Sequence, residues 1–161
     1  MIETGTSHLL ATVKDGVGVL TLNRPEARNA LSAEMTSALR VQLEEFEFSD
    51  EVNVIVLTGS GPAFCAGGDV KGMASRGDGT RGDNTIDGAI HKQRVAQRST
   101  SGKLFKIPKP TIAALPGAAA GAGLSLALAC DLRIMTTKAF LVTAFAKVGF
   151  SGDYGGTYFL T

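Results

Sequence analysis

Two glycine-rich stretches, Gly61 to Met73 (GPAFCAGGDVKGM) and Pro116 to Asp131 (PGAAAGAGLSLALACD), put bare backbone where a strand hands over to a helix. Small residues let a ligand reach the main chain, and the unpaired N–H groups at a helix start carry partial positive charge. Two such amides converging on one point form an oxyanion hole. That arrangement stabilises a carbonyl oxygen as it gains charge, each donor being worth about 10²–10³ in rate. The pattern points to acyl or enolate chemistry. Strand, glycine loop and helix also recur throughout α/β proteins without a catalytic role, so it is the pairing of the two stretches that argues for a site.

Other chemistries are poorly provisioned. His8 and His91 are the only imidazoles, and no metal site is expected. Cys65 and Cys130 lie among small apolar residues and form no CxxC pair, which reads as two buried thiols. The segment around Ser125, Gly-Leu-Ser-Leu-Ala, has the outline of a nucleophile elbow, but neither histidine has an evident orienting acid. Ser125 reads instead as a serine packed on a small-residue helix. The GAGLSL run lacks the third glycine and the ribose-binding acid of a dinucleotide fingerprint.

The elements that must position these loops are legible. Val52 to Thr58 (VNVIVLT) reads as a buried strand before the first stretch, and Thr111 to Leu115 (TIAAL) as another before the second. Leu9 to Val13 and Val17 to Leu22 are β-branched runs joined through Asp15-Gly16, a hairpin signal because both turn residues tolerate positive φ. Ser32 offers an N-cap to a helix whose buried face carries Met35, Leu39, Leu43 and Phe46. Gly72 to Gly88 reads as a mobile loop, a lid or rim of a groove. Its Arg-Gly-Asp tripeptides, Arg76 to Asp78 and Arg81 to Asp83, are taken as loop composition rather than an integrin ligand. His91 to Arg98 is polar and helical, and the prolines of Lys106 to Pro110 stop it. The closing GGTYFLT reads as a helix that has barely begun.

At 161 residues and 44% hydrophobic content, one domain spanning 1–161 is expected. A net charge of +1 makes no electrostatic case for nucleic acid or an anionic membrane, and no apolar run is long enough to span a bilayer. The opening MIETGTSHLL lacks the basic and apolar regions of a signal peptide, so the expected location is the cytoplasm.

FCAGGDVKGM (Phe64 to Met73), AALPGAAAGAGLSLALACD (Ala113 to Asp131) and the earlier TLNRPEARNALS (Thr21 to Ser32) together resemble the enoyl-CoA hydratase/isomerase, or crotonase, family, over about Leu9 to Thr161. The resemblance implies an α/β fold, a crotonase-like spiral of ββα units lacking its C-terminal helical part. It implies a coenzyme A thioester in an extended groove, with coenzyme A part of the substrate and no separate cofactor. By motif position the oxyanion donors are the backbone N–H groups of Ala66 and Ala122. Ala66, Gly67, Gly68 and Asp69 lie along the pantetheine and adenine, with Ala27, Arg28 and Val70 nearby. Arg24, Arg28 and Lys71 are the local cations that meet phosphates or stand as solvated surface charges. Family members continue into C-terminal helices that finish the acyl pocket and build a trimer interface. The full-length form is therefore expected to be a homo-oligomer, a trimer or a dimer of trimers.

The family's hydratases use two glutamates, and the matching positions here hold Ser125 and Phe145. Neither can serve as a carboxylate base. Asp153, in VGFSGDYGG, stands where some family isomerases and the aryl-CoA dehalogenase branch carry a catalytic aspartate. Dehalogenation is disfavoured, because that branch's aryl-pocket tryptophan and histidine have no counterpart and the chain has no Trp. One carboxylate beside a polarised thioester suffices to shift a double bond, best if its ordinary pKa of about 3.9 is raised by an apolar wall. Phe145, Phe150 and Leu141 are the candidates for that wall. Asp153 is equally placed to cap the terminal helix. The expected function is acyl-CoA double-bond isomerisation with Asp153 as proton shuttle. The alternatives are a hydratase with other acid/base residues and a CoA-thioester-binding protein without activity.

Overall fold

A computed structural model describes residues 1–70, 72, 85–149 and 151–161. The chain opens with a hairpin, β1 (Leu9–Lys14) and β2 (Val17–Leu22), closed by Asp15 and Gly16 with φ of 51° and 81°. Those positive values belong to the two-residue turn whose twist matches the strands it joins. A short 3₁₀ turn (Pro25–Ala27) leads into α1 (Ala33–Phe48). The Ser32 hydroxyl accepts from the Met35 N–H at 3.1 Å and so caps that helix. Met35, Leu39, Leu43 and Phe46 are all buried, as their spacing predicts.

From here the chain winds as a spiral. β3 (Val54–Gly59) and β4 (Ala63–Cys65) are followed by α2 (Ile86–Ser99) and α3 (Ser101–Lys106). β5 (Thr111–Leu115) and β6 (Ala118–Ala120) lead into α4 (Ala122–Ala129), and β7 (Leu132–Met135) and β8 (Leu141–Val142) into a 3₁₀ turn (Ala144–Val148) and α5 (Gly156–Phe159). Each turn contributes one strand to each of two sheets. The five-stranded sheet has the order β1-β2-β3-β5-β7, and the three-stranded sheet β4-β6-β8. Apart from the β1–β2 hairpin, every pairing between these strands is parallel. This is the expected spiral of ββα units.

Leu20, Leu22, Ile55 and Leu57 alternate inward along β2 and β3 and meet the apolar face of α1, with Phe64 fully buried beneath them. Burial of each such side chain contributes about 1.5–3 kcal/mol, so this layer supplies the rigid platform under both glycine loops. The opposite edge is bare. Every residue of β7 is exposed, Leu132 and Ile134 at 59% and 63%.

Two expectations shift. The strand expected at Val52 begins at Val54, because the N–H groups of Asn53 and Val54 both turn to the Gly16 carbonyl before the ladder starts. The loop expected through Gly88 ends earlier, since the Thr85 hydroxyl accepts from the Gly88 N–H at 3.1 Å and starts α2 at Ile86. The two Arg-Gly-Asp tripeptides, Lys71 and Phe150 lie outside the described residues.

Candidate active site

The first glycine loop leaves β4 at Cys65, and the second leaves β6 at Ala120. Parallel pairing of β4 with β6 brings their ends side by side. Gly123, one residue into α4, has no room for a side chain, because a Cβ there would lie 2.4 Å from the Cys65 carbonyl oxygen. That close approach seats the start of α4 against the first loop. Gly67, with φ of 99°, faces the same point, since a Cβ on it would stand 2.9 Å from the Ala120 carbonyl oxygen and 3.4 Å from the Ala122 nitrogen. The two glycine motifs thus meet at the N-terminus of α4. Ala122 is its first residue, and among the described residues its N–H has no hydrogen-bond partner.

The matching donor on the first loop needs a correction. The Ala66 N–H, expected to hold the thioester oxygen, already donates to the Arg28 carbonyl at 2.9 Å. The Gly67 N–H faces the Cys65 sulfur at 3.4 Å. The Gly67 carbonyl accepts from the Leu31 N–H at 2.8 Å in a short parallel bridge that fixes the loop against the entry to α1. Gly68 is the next amide, and among the described residues its N–H donates to none.

Asp153 reaches this region through Ser125. Ala122 and Ser125 are three residues apart on one face of α4, and the fully buried Ser125 hydroxyl donates to the Asp153 carbonyl at 2.8 Å. A Cβ on Gly156 would come within 2.7 Å of that hydroxyl oxygen, so position 156 has no room for a side chain while Ser125 stands there. The Asp153 carboxylate caps no helix. The residue before α5 is Gly155, with no side-chain cap, and only the Asp153 carbonyl takes part, accepting from the Gly156 N–H at 2.9 Å. Burial pushes the Asp153 carboxyl above its ordinary pKa, offset in part by its own backbone N–H. Of the expected apolar wall, Phe145 lies beside Gly152 and Gly156, whereas Leu141 is 41% exposed on β8.

The residues assigned to coenzyme A fall around the first loop. Arg24 donates to the Ala30 carbonyl at 2.8 Å and to Asp69 at 3.0 Å. Asp69 also accepts from the Gly72 N–H at 3.0 Å. Arg24 and Asp69 therefore hold one another and brace the loop, a use of both that the motif alone did not disclose. Arg28, Ala66 and Val70 are exposed, and Ala27 and Gly68 half-buried, at its rim. Asn29 is a residue the sequence reading passed over. Completely buried, it accepts from the Arg24 N–H at 2.8 Å and donates to the Ser60 and Ala63 carbonyls at 2.9 and 2.8 Å. It fastens the TLNRPEARN turn to the β3–β4 corner. Its signal in the sequence was a lone asparagine after a turn.

A groove of about 1040 Å³ runs between α1 and α2, lined among others by Leu31, Thr36, Arg40, Asp69, Val95 and Tyr154. Asp69 and the neighbour of Asp153 are in its walls; Asp153 itself is not. Cys65 and Cys130 are buried free thiols, both pushed up to about 12 by that burial, which keeps them unreactive. Ser125 has its hydroxyl committed to Asp153, while His8 hydrogen-bonds Ser32 at 2.9 Å. Among the described residues no group of three His, Cys, Asp or Glu stands together as a metal site, and no helix is long and apolar enough to cross a membrane.

The arrangement has relatives. The model of the enoyl-CoA hydratase/isomerase family matches residues 12–161. The chain is 39% identical over 94% of its length to the 1,2-epoxyphenylacetyl-CoA isomerase of Escherichia coli, and 32% identical over 99% to a 4-chlorobenzoyl coenzyme A dehalogenase of an Arthrobacter species. It superposes on the crystal structure of an enoyl-CoA hydratase from Polaromonas sp. JS666 with a TM-score of 0.78 at 35% identity, over 95% of this chain. The chain spans 56% of the length of both curated relatives and 57% of that structure. With two glycine loops meeting at one helix start and a family match over nearly its whole length, the chain belongs to the enoyl-CoA hydratase/isomerase family.

Proposed function

We propose that the site acts on an acyl-CoA thioester and shifts a double bond in its acyl group. The Ala122 and Gly68 N–H groups hold the thioester oxygen. The Asp153 carboxylate takes a proton from the carbon next to the thioester, and electrons move onto the oxygen to give an enolate. The resulting carboxylic acid returns the proton two bonds further along the chain. No atom is gained or lost, and Asp153 ends as it began.

The observation that supports this reading is the hydrogen bond from Ser125 to the Asp153 carbonyl, which holds the Asp153 backbone beside the turn of α4 that begins at Ala122. Burial supports it further, because a carboxyl whose pKa is raised is a stronger base when ionised. A hydratase has a harder requirement, a second carboxylate, and position 125 holds a serine instead. The isomerase name of the E. coli relative agrees with a rearrangement, while other relatives named hydratase or dehalogenase set the competing outcomes.

The test is a panel of 2-enoyl, 3-enoyl and haloaryl CoA thioesters followed by product analysis in deuterated water. Positional isomers that retain part of the substrate hydrogen are expected, with Asp153→Asn inactive but binding within a few-fold of wild type. Hydrated product alone, halide release, or binding without turnover would each replace the isomerase reading.

A further inference from the structure

We infer that the groove between α1 and α2 receives the acyl chain of the thioester, and that Arg40 at its far end selects a chain ending in a carboxylate. This rests on the site binding an acyl-CoA thioester, not on which reaction follows. The groove begins beside the first glycine loop, because Leu31, whose N–H donates to the Gly67 carbonyl, and Asp69 are both in its wall. From there it follows one face of α1, through Ala33, Thr36, Ser37 and Arg40, spaced three or four residues apart. The opposite wall is α2, none of whose residues is buried, although Ile86, Ala89 and Val95 line the gap. A helix that turns apolar side chains to a gap instead of a core leaves surface that a hydrocarbon chain gains by covering.

The far end differs in charge. Arg40, Val95 and Ser99 line both this groove and a second cavity of about 340 Å³, to which Glu44, Arg98 and Lys103 are added. Lys103 is spent on Glu47, and Asp69, at the near end, on Arg24. Among the described residues, Arg40, Arg98 and Glu44 are in no ion pair, and the Arg40 guanidinium has no partner. Glu44 stands one turn on from Arg40 and offsets one positive charge, while Lys92 in the groove wall adds another. Positive charge is therefore in excess where the apolar channel ends, complementary to one anionic group. Arginine suits a carboxylate, because its planar fork meets both oxygens at once. Ala33 and Arg40 are separated by about 10.5 Å of helix at 1.5 Å per residue. An extended chain covers about 3.3–3.6 Å per three bonds, so about nine bonds span that distance. The substrate class is a medium-length acyl-CoA with a carboxylate at its far end.

The test is calorimetric binding of saturated CoA thioesters to the full chain, with chains of graded length in methyl-ended and carboxylate-ended forms. Saturated chains leave no reaction to intervene. At medium length the carboxylate-ended form binds about tenfold tighter than its methyl-ended twin, the size of a charge-assisted hydrogen bond in a partly open site. That preference is absent from chains too short to reach Arg40, and it shrinks as salt is raised. Arg40 is exposed, so its variants keep the fold, and thermal melts check this. Arg40→Gln abolishes the preference, and Arg40→Glu turns it toward an amine-ended chain. Equal binding of the two wild-type forms, or a preference that survives Arg40→Gln, would overturn this inference alone. A loss in Arg40→Gln that is the same for both forms and for free coenzyme A would place Arg40 on the coenzyme's phosphates and overturn it too. Failure of every thioester to bind would remove the acyl-CoA reading beneath it.

Discussion

Ala122→Pro isolates the proposed oxyanion donor more cleanly than most substitutions of this kind. Ala122 is the first residue of α4, where an N–H has no intrahelical acceptor to lose and proline is well tolerated. The preceding Gly121, with φ of 52°, is a glycine outside the helix, so the restriction proline places on its predecessor does not propagate into α4. What disappears is the one N–H that the proposed function directs at the thioester oxygen, and a ring carbon takes its place. Loss of one such donor costs about 2.7–4 kcal/mol of transition-state stabilisation, which is about 10²–10³ in kcat/KM. Ala66→Pro is the matched control. Its N–H is spent on the Arg28 carbonyl at 2.9 Å, so removing it costs stability, about 1–3 kcal/mol for an orphaned carbonyl. At this chain length that is about 2–4 °C of melting temperature per kcal/mol. The assay is steady-state turnover of the best thioester substrate, with circular dichroism and thermal melts on each variant. Ala122→Pro should melt near wild type and turn over slowly. A folded Ala122→Pro variant within threefold of wild-type kcat/KM would refute the oxyanion assignment.

Asp153→Asn should stabilise the protein at neutral pH. The folded-state pKa is raised by burial, so the aspartate contributes stability that is present below its unfolded pKa of about 3.9 and lost as pH rises through the folded value. The asparagine variant escapes that loss, and its gain in melting temperature should vanish below about pH 4; a gain independent of pH would contradict the burial argument. Gly123→Ala pushes a methyl to within 2.4 Å of the Cys65 carbonyl and forces α4 off the first loop, for a cost of about 1–3 kcal/mol with turnover lost beyond it. Thermal melts and turnover read both, and unchanged activity would mean the two loops need not touch. Leu39→Ala, in the fully buried stripe of α1, should cost about 2–5 kcal/mol in urea unfolding while leaving the kinetics of the surviving folded fraction intact.

The sequence by itself determined the parts whose cause is local. The Asp15-Gly16 turn, the Ser32 cap with its apolar stripe, and Thr111–Leu115 follow from dihedral preference, one side-chain hydrogen bond and hydrophobic period, each set within a few residues. The glycine motifs were legible for the same reason, because Gly67 and Gly123 mark places where a Cβ cannot fit. What the tertiary structure alone decided is where each polar group points. Whether the Ala66 N–H faces a ligand depends on the Arg28 carbonyl, 38 positions earlier, and Arg24 and Asp69 become partners only when the 3₁₀ turn folds onto the first loop. The same holds for Asp153. In the sequence it suited a helix cap as well as a catalyst, and the bond from Ser125 placed it against α4 instead. A hydrogen bond has direction and a reach of about 3 Å, so its partner is fixed by how distant segments pack, whereas a turn, a cap or a glycine contact is already written into its own few residues.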